Sequence, residues 1–175
     1  MFKRKWFNLV DGVPAGDRGG EYFVSIDSAL STLSTADYSA ISVVYAVNKR
    51  FYVLKAERGR WDYETLKAKA LHYIERLIEK YKPVTFLIER AGSGVSLLQC
   101  LLDLRSDRDN VFHYAPKQDK VVKAAYAIPI FVSGRVFIVN AKGKIDWVEP
   151  YINEFVNFPH GRFDDQVDSL VQVLP

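Results

Sequence analysis

Apolar residues follow two rhythms along this chain, short near-continuous runs and longer stretches at helical spacing, and their order predicts an α/β fold. Tyr22-Phe23-Val24-Ser25-Ile26 is a strand-like run ending at Asp27. After a polar loop rich in Ser and Thr, Ala40 to Val47 and Phe51 to Glu57 read as two more strands, joined by Asn48-Lys49-Arg50 into an antiparallel hairpin. Leu66, Ala70, Tyr73, Leu77 and Ile78 recur at helical spacing, Asp62 is placed to cap and Pro83 marks the exit, so a helix is predicted between them. Val84-Thr85-Phe86-Leu87-Ile88 has the continuous apolar character of a central strand covered on both faces, and it stops at Glu89.

A glycine-bearing turn, Ala91-Gly92-Ser93-Gly94, leads into a predicted helix over Val95 to Leu104 and a strand over Val111 to Tyr114. Lys117 to Val132 reads as a helix that Pro129 should disturb, Arg135 to Val139 as a short extended piece, Trp147 to Phe155 as a helix, and a last helix should begin at Asp164. Three leading strands followed by alternating helices and strands predict a central mixed sheet, antiparallel among its first three strands and parallel thereafter, flanked by helices on both faces. Residues 1–21, with the turn-rich run from Asp11 to Gly20, read as a linker or N-terminal arm ahead of one domain spanning 22–175.

The length of 175 residues suits that single domain, and an apolar content of 49% excludes the disordered class. A net charge of +3 is compatible with a nucleic-acid partner but too small to identify one. The single cysteine, Cys100, lies in an apolar run, which excludes an internal disulfide and suits a buried small hydrophobe in a reducing cytoplasm. No apolar stretch reaches the ~20 residues that span a bilayer, and no signal-peptide core follows the start, so a soluble, unexported protein is expected.

The acids sharpen the picture. Asp27 and Glu89 each end a strongly apolar strand, so in adjacent strands they would project from the same sheet edge, where open α/β sheets place ligands. In Asp164-Asp165-Gln166-Val167-Asp168, helical spacing crowds three acids onto the first turn of the last helix. One or two acids there are explained by the helix dipole. Two carboxylates about 4 Å apart repel by up to about 4 kcal/mol at an effective dielectric near 20, so gathering all five groups requires protons or cations. Hard oxygen ligands favour Mg2+ or Mn2+, and two such ions could hydrolyse a phosphodiester without a nucleophilic side chain. The plain alternative is that Asp27 and Glu89 are turn residues and the aspartates a well-charged helix start.

The ordered series Ser25-Ile26-Asp27-Ser28-Ala29, Ala36-Asp37-Tyr38, Leu87-Ile88-Glu89-Arg90-Ala91-Gly92-Ser93-Gly94 and Phe158-Pro159-His160-Gly161-Arg162-Phe163-Asp164-Asp165-Gln166-Val167-Asp168 resembles the nuclease part of bacteriophage terminase large subunits. Lys120-Val121-Val122-Lys123-Ala124 and Ser133-Gly134-Arg135-Val136 match that family in order and spacing, and the similarity runs from Tyr22 to the end. The resemblance implies a ribonuclease-H-like fold and an endonuclease that cuts concatemeric double-stranded viral DNA during packaging in the bacterial cytoplasm. It implies Asp27, Glu89 and Asp165 as catalytic metal ligands for two Mg2+ or Mn2+ ions, with Asp164 and Asp168 as alternates and Asp37 as an added acid. Its partners would be DNA and, around it, a terminase small subunit, a portal and an ATPase motor. This chain carries no G-x-x-x-x-G-K-[ST] phosphate loop and is therefore not that motor.

Lys117, Lys120, Lys123, Arg135, Lys142 and Lys144 form a basic stretch between the second and third acidic motifs, and Lys120, Lys123 and Arg135 are the candidate DNA contacts. The family often has arginine where Lys123 stands, and lysine lacks the bidentate fork. Arg90 could instead pair with a carboxylate. His160 reads as a turn residue, His72 and His113 as structural, and Trp61 and Trp147 as core. Two other readings compete: another ribonuclease-H-like nuclease of the junction-resolvase or transposase type, and a non-catalytic DNA- or portal-binding module of the same fold.

Overall fold

The computed structural model describes residues 1–28, 38–80, 84–89, 92–104, 111–114, 119–140, 143 and 145–174. Among them, seven strands form one mixed sheet: β1 (Asn8–Val10), β2 (Glu21–Asp27), β3 (Ser39–Val47), β4 (Arg50–Gly59), β5 (Val84–Glu89), β6 (Val111–Tyr114) and β7 (Val136–Val139). Their order across the sheet is β1-β7-β4-β3-β2-β5-β6. β3 runs antiparallel to both β2 and β4, while β2–β5, β5–β6, β4–β7 and β1–β7 are parallel pairs. Five helices accompany it: α1 (Tyr63–Lys80), α2 (Ser93–Leu104), α3 (Lys120–Val132), α4 (Val148–Asn157) and α5 (Asp165–Val171). This is the mixed, two-sided arrangement expected from the sequence.

Local chemistry accounts for the elements. Asn48 and Lys49 both take positive φ, 50° and 61°, which closes the β3–β4 hairpin with the turn twist that matches its strands. Asp62 caps α1 as predicted, its carboxylate accepting the Thr65 amide at 2.8 Å. Pro129 does not break α3, which continues to Val132. The proline sits in the last turn at an exposed position, so only the bond to the carbonyl of Ala125 is lost, and the Ser133 amide still reaches the Pro129 carbonyl at 3.0 Å.

Strand alternation divides the core in two. Val24, Ile26, Val43, Phe86 and Ile88 pack with Leu66, Ala70 and Ile74 of α1 and Leu97 and Leu101 of α2. On the other face Val44, Val53, Val136 and Ile138 pack with Phe131 of α3, Tyr151 and Phe155 of α4, and Val167 and Leu170 of α5. The N-terminal segment contributes two rings to this second core. Phe2 and Phe7 are buried there, with the Phe2 ring 4.8 Å from Phe131 and 5.2 Å from Phe155, and β1 extends the sheet beside β7. Asp17 is also buried, accepting from the hydroxyl of Tyr52 and from Arg50 at 3.1 Å, which fastens the turn-rich run to the sheet. Phe2→Ala should therefore destabilise the protein by about 3 kcal/mol in chemical denaturation, as loss of a core ring does. An unchanged midpoint would show that the arm only rests on the surface.

Candidate active site

The same alternation decides which polar side chains meet. In β2, Val24 and Ile26 enter the α1–α2 core, so Phe23, Ser25 and Asp27 take the opposite face, and Phe23 indeed packs on the α3–α5 side. In β5, Phe86 and Ile88 enter the α1–α2 core, so Glu89 turns to the face that Asp27 occupies. Ile26 pairs with Ile88, which leaves Asp27 and Glu89 side by side at the ends of two parallel strands. Gly94 lets the first turn of α2 close on this edge, since a Cβ there would come within 2.1 Å of the Glu89 carbonyl oxygen.

α5 is laid across this face by small residues. The hydroxyls of Ser42 on β3 and Ser169 on α5 are 2.7 Å apart and fully buried, and Gln172 just beyond α5 donates to Ser25 of β2. Its first turn brings Asp165 and Asp168 to the ends of β2 and β5, where their charges act directly on Asp27.

The electrostatics record the crowding. Burial, a hydrogen bond with Glu89, and the charges of Asp168, Glu89 and Asp165 hold the Asp27 carboxyl well above the ordinary carboxylate range. Burial pushes Asp165 up to about 6, reinforced by Glu154 and Asp164. Burial also raises Asp168, opposed by Lys120 and Lys123. Lys120 Nζ lies 3.1 Å from both Asp164 and Asp168. Burial works against its charge, but the two aspartates outweigh it and hold its proton more tightly than usual.

The structure thus brings Asp27, Glu89, Asp165 and Asp168 together, with Asp164 on the more exposed rim under Lys120. Among the described residues no three such groups already grip an ion-sized point. The crowding raises the cost of ionising Asp27, and the ammonium of Lys120 offsets part of the charge at Asp164 and Asp168. A crowded, all-oxygen donor set has the chemistry that suits a hard divalent cation. Lys123 stands one turn along α3 from Lys120, near enough to act on Asp168. Arg135 precedes β7, parallel to β4, and so occupies the opposite edge of the sheet, its guanidinium bonded to Ser133 at 2.8 Å. Asp37, Arg90, Lys117, Lys142 and Lys144 lie outside the described residues. His160 is exposed in the turn after α4, its amide bonded to the Asn157 carbonyl at 2.9 Å, as a turn residue would be.

Three residues at the site escaped the reading of the sequence. Glu154 of α4 accepts from the backbone amide of Gln166 at 2.8 Å and from its side chain at 2.6 Å, and forms an ion pair with Arg58 of β4. The available signal was an acid within the apolar stripe of α4, beside Tyr151, Ile152 and Phe155.

Comparison with known proteins identifies the family and the fold. The terminase RNaseH-like domain family matches residues 24–174. No protein of curated function matches the sequence. Among solved structures, the manganese-soaked human cytomegalovirus terminase nuclease domain superposes with a TM-score of 0.68 at 17% identity, over 91% of this chain and 84% of that one. The large terminase nuclease of thermophilic phage G20c with bound zinc gives 0.62 at 20% identity, over 96% and 92%. The large terminase of another thermophilic bacteriophage gives 0.60 at 14% identity, over 99% of this chain but 43% of that one. The match spans nearly the whole chain, both strands that end in the clustered acids and the helix that completes the cluster; the chain belongs to the terminase RNaseH-like domain family.

Proposed function

We propose that this chain is the nuclease of a DNA-packaging terminase, a divalent-metal-dependent endonuclease that cuts double-stranded viral DNA in the cytoplasm of a bacterial host. The observation that carries the reading is the convergence of Asp27, Glu89, Asp165 and Asp168 at one sheet edge, in a domain of a terminase family. The relatives described as terminase nuclease domains with manganese or zinc support a divalent requirement here. No helix among the described residues is long and apolar enough to cross a membrane.

Asp27, Glu89 and Asp165 are the proposed principal ligands of two Mg2+ or Mn2+ ions, with Asp168, Asp164 and Asp37 as further acids around them. When bound, the ions supply the charge neutralisation, water activation and leaving-group stabilisation that phosphodiester hydrolysis needs. The chain's own residues supply the frame: β2 and β5 fix two carboxylates in register, and α5 carries the others over them. Lys120 and Lys123 flank the acids and are positioned to meet the phosphate backbone, while Arg135 would contact DNA only across the far edge. This chain aligns with less than half of a thermophilic bacteriophage's large terminase that is also solved in complex with ATP-gamma-S, which supports an ATPase motor as the partner that presents the DNA; a small subunit and a portal are the other proposed partners.

Plasmid nicking tests the reading. Supercoiled DNA should be nicked and linearised with Mn2+ or Mg2+ and left intact with a chelator, and Asp165→Ala should lower the rate by at least about 100-fold. Undiminished cutting by Asp165→Ala would sink the assignment of the site, and cutting confined to branched DNA would favour a resolvase.

A further inference from the structure

α5 is short for the task it has. It is seven residues long, and in isolation a helix of that length does not hold together in water. Its N-cap residue is Asp164, an acid of the type that ordinarily accepts the first free amides of a helix. Here Asp164 makes no such bond and its carboxylate is turned to Lys120 instead. The second amide of the helix, that of Gln166, is satisfied from elsewhere. Glu154 Oε1 accepts the Gln166 amide at 2.8 Å, while Oε2 accepts the Gln166 side chain at 2.6 Å and pairs with Arg58.

Glu154 is itself buried, at 6% exposure, among the apolar residues of α4. A carboxylate in that position costs free energy unless its oxygens are fully engaged, and these are. Arg58 carries the clamp further. Its guanidinium stacks over the Phe163 ring at 3.8 Å and faces Tyr38 at 5.1 Å, so the residue immediately before Asp164 is held by the cation that holds Glu154. β4, α4 and the start of α5 are thereby fastened at one point beside the acid cluster.

We propose that Glu154, braced by Arg58, is a positioning residue that caps α5 from a neighbouring helix, so that the Asp164 carboxylate is not spent on capping the helix and faces the cluster that Asp165 and Asp168 form with Asp27 and Glu89. The inference rests on the metal-nuclease reading for its consequence but not for its geometry. A carboxylate used as its own helix cap is tied to the backbone; delivering the cap from α4 separates the structural acceptor from the functional acids.

The test uses the full chain with Glu154→Ala and Glu154→Gln, reading Mn2+ binding by calorimetry, Gln166 amide exchange by NMR, and DNA-cleavage kinetics. Glu154→Ala should weaken Mn2+ binding by about 10- to 100-fold, as loss of a supporting residue does, and lower kcat with little change in KM for DNA. The Gln166 amide should exchange about 10-fold faster. Glu154→Gln keeps an acceptor for that amide and should retain Mn2+ affinity within about 3-fold of the parent. If Glu154→Ala does not fold, Gln166→Ala, which deletes the side-chain bond alone, should show the same losses in weaker form. Parent-like Mn2+ binding and Gln166 protection in Glu154→Ala would overturn the inference, as would equal losses in the alanine and glutamine variants. A parent that bound no Mn2+ would overturn the nuclease reading instead, and Gln166 protection would still decide the cap.

Discussion

Asp27→Asn should abolish DNA cleavage while making the metal-free protein more stable, two effects of opposite sign from one substitution. The loss follows from its place in the cluster. Removing one of the proposed central ligands should lower the cleavage rate by at least about 1,000-fold, equivalent to about 4 kcal/mol of barrier. The gain follows from the charges. In the folded chain the Asp27 carboxyl holds its proton far above the ordinary range because of burial, Glu89 and the neighbouring aspartates. Above the ordinary carboxylate range, ionising Asp27 costs more in the folded chain than in the unfolded one, a penalty that asparagine escapes.

Relief of about 1–2 kcal/mol in a chain of this length raises Tm by about 2–8 °C. Calorimetry with a chelator present, beside a nicking assay with Mn2+, measures both effects on one preparation. A purely structural Asp27 would give the reverse pattern, a lower Tm with cleavage retained, and that outcome would remove the proposed site.

The metal-free protein should lose stability as pH rises from about 4 to 7, and Mn2+ should restore it only at the upper end of that range. Asp165 titrates near 6 in the folded chain against an ordinary value of 3.8. A carboxyl raised in this way contributes fully below the unfolded value, and the contribution disappears as pH climbs through the folded one. Asp27 and Asp168 are shifted in the same direction, chiefly by burial, with Asp168 among the charges that raise Asp27 and Asp164 raising Asp168. Lys120 offsets part of the repulsion and keeps its charge throughout this range.

Divalent ions compete with these protons, so binding must release them and must tighten with pH. At a hundredfold excess over Kd, Mn2+ stabilises by about 2.7 kcal/mol. That corresponds to about 5–11 °C at pH 8, with a shift near zero at pH 5, where protons occupy the site. Melting curves across pH with Mn2+ or chelator test this directly. An Mn2+ shift independent of pH would mean that the ion binds away from the acids.

Much of this was legible in the sequence for a simple reason: strand and helix periods are local properties. The run ending at Asp27, the run ending at Glu89 and the spacing of Asp165 and Asp168 each announce a side chain at the end of an element. Once β2 and β5 pair in parallel, alternation alone turns both acids to one face. The hairpin at Asn48-Lys49 and the Asp62 cap were readable on the same grounds.

Tertiary structure decided the rest, because the deciding contacts join positions far apart in the chain. Nothing near Phe2 or Phe7 announces that they enter the core, since their partners Phe131 and Phe155 lie more than a hundred residues away. The basic residues between the acidic motifs look alike in sequence, yet folding turns Lys120 onto Asp164 and Asp168 and sends Arg135 to the other edge of the sheet. Asp164 has the sequence of a helix cap, and only the packing of α4 against α5 shows that Glu154 holds that role. Periodicity determines which acids stand at the ends of elements; the long-range packing of those elements determines which acids meet, and which are left free to act.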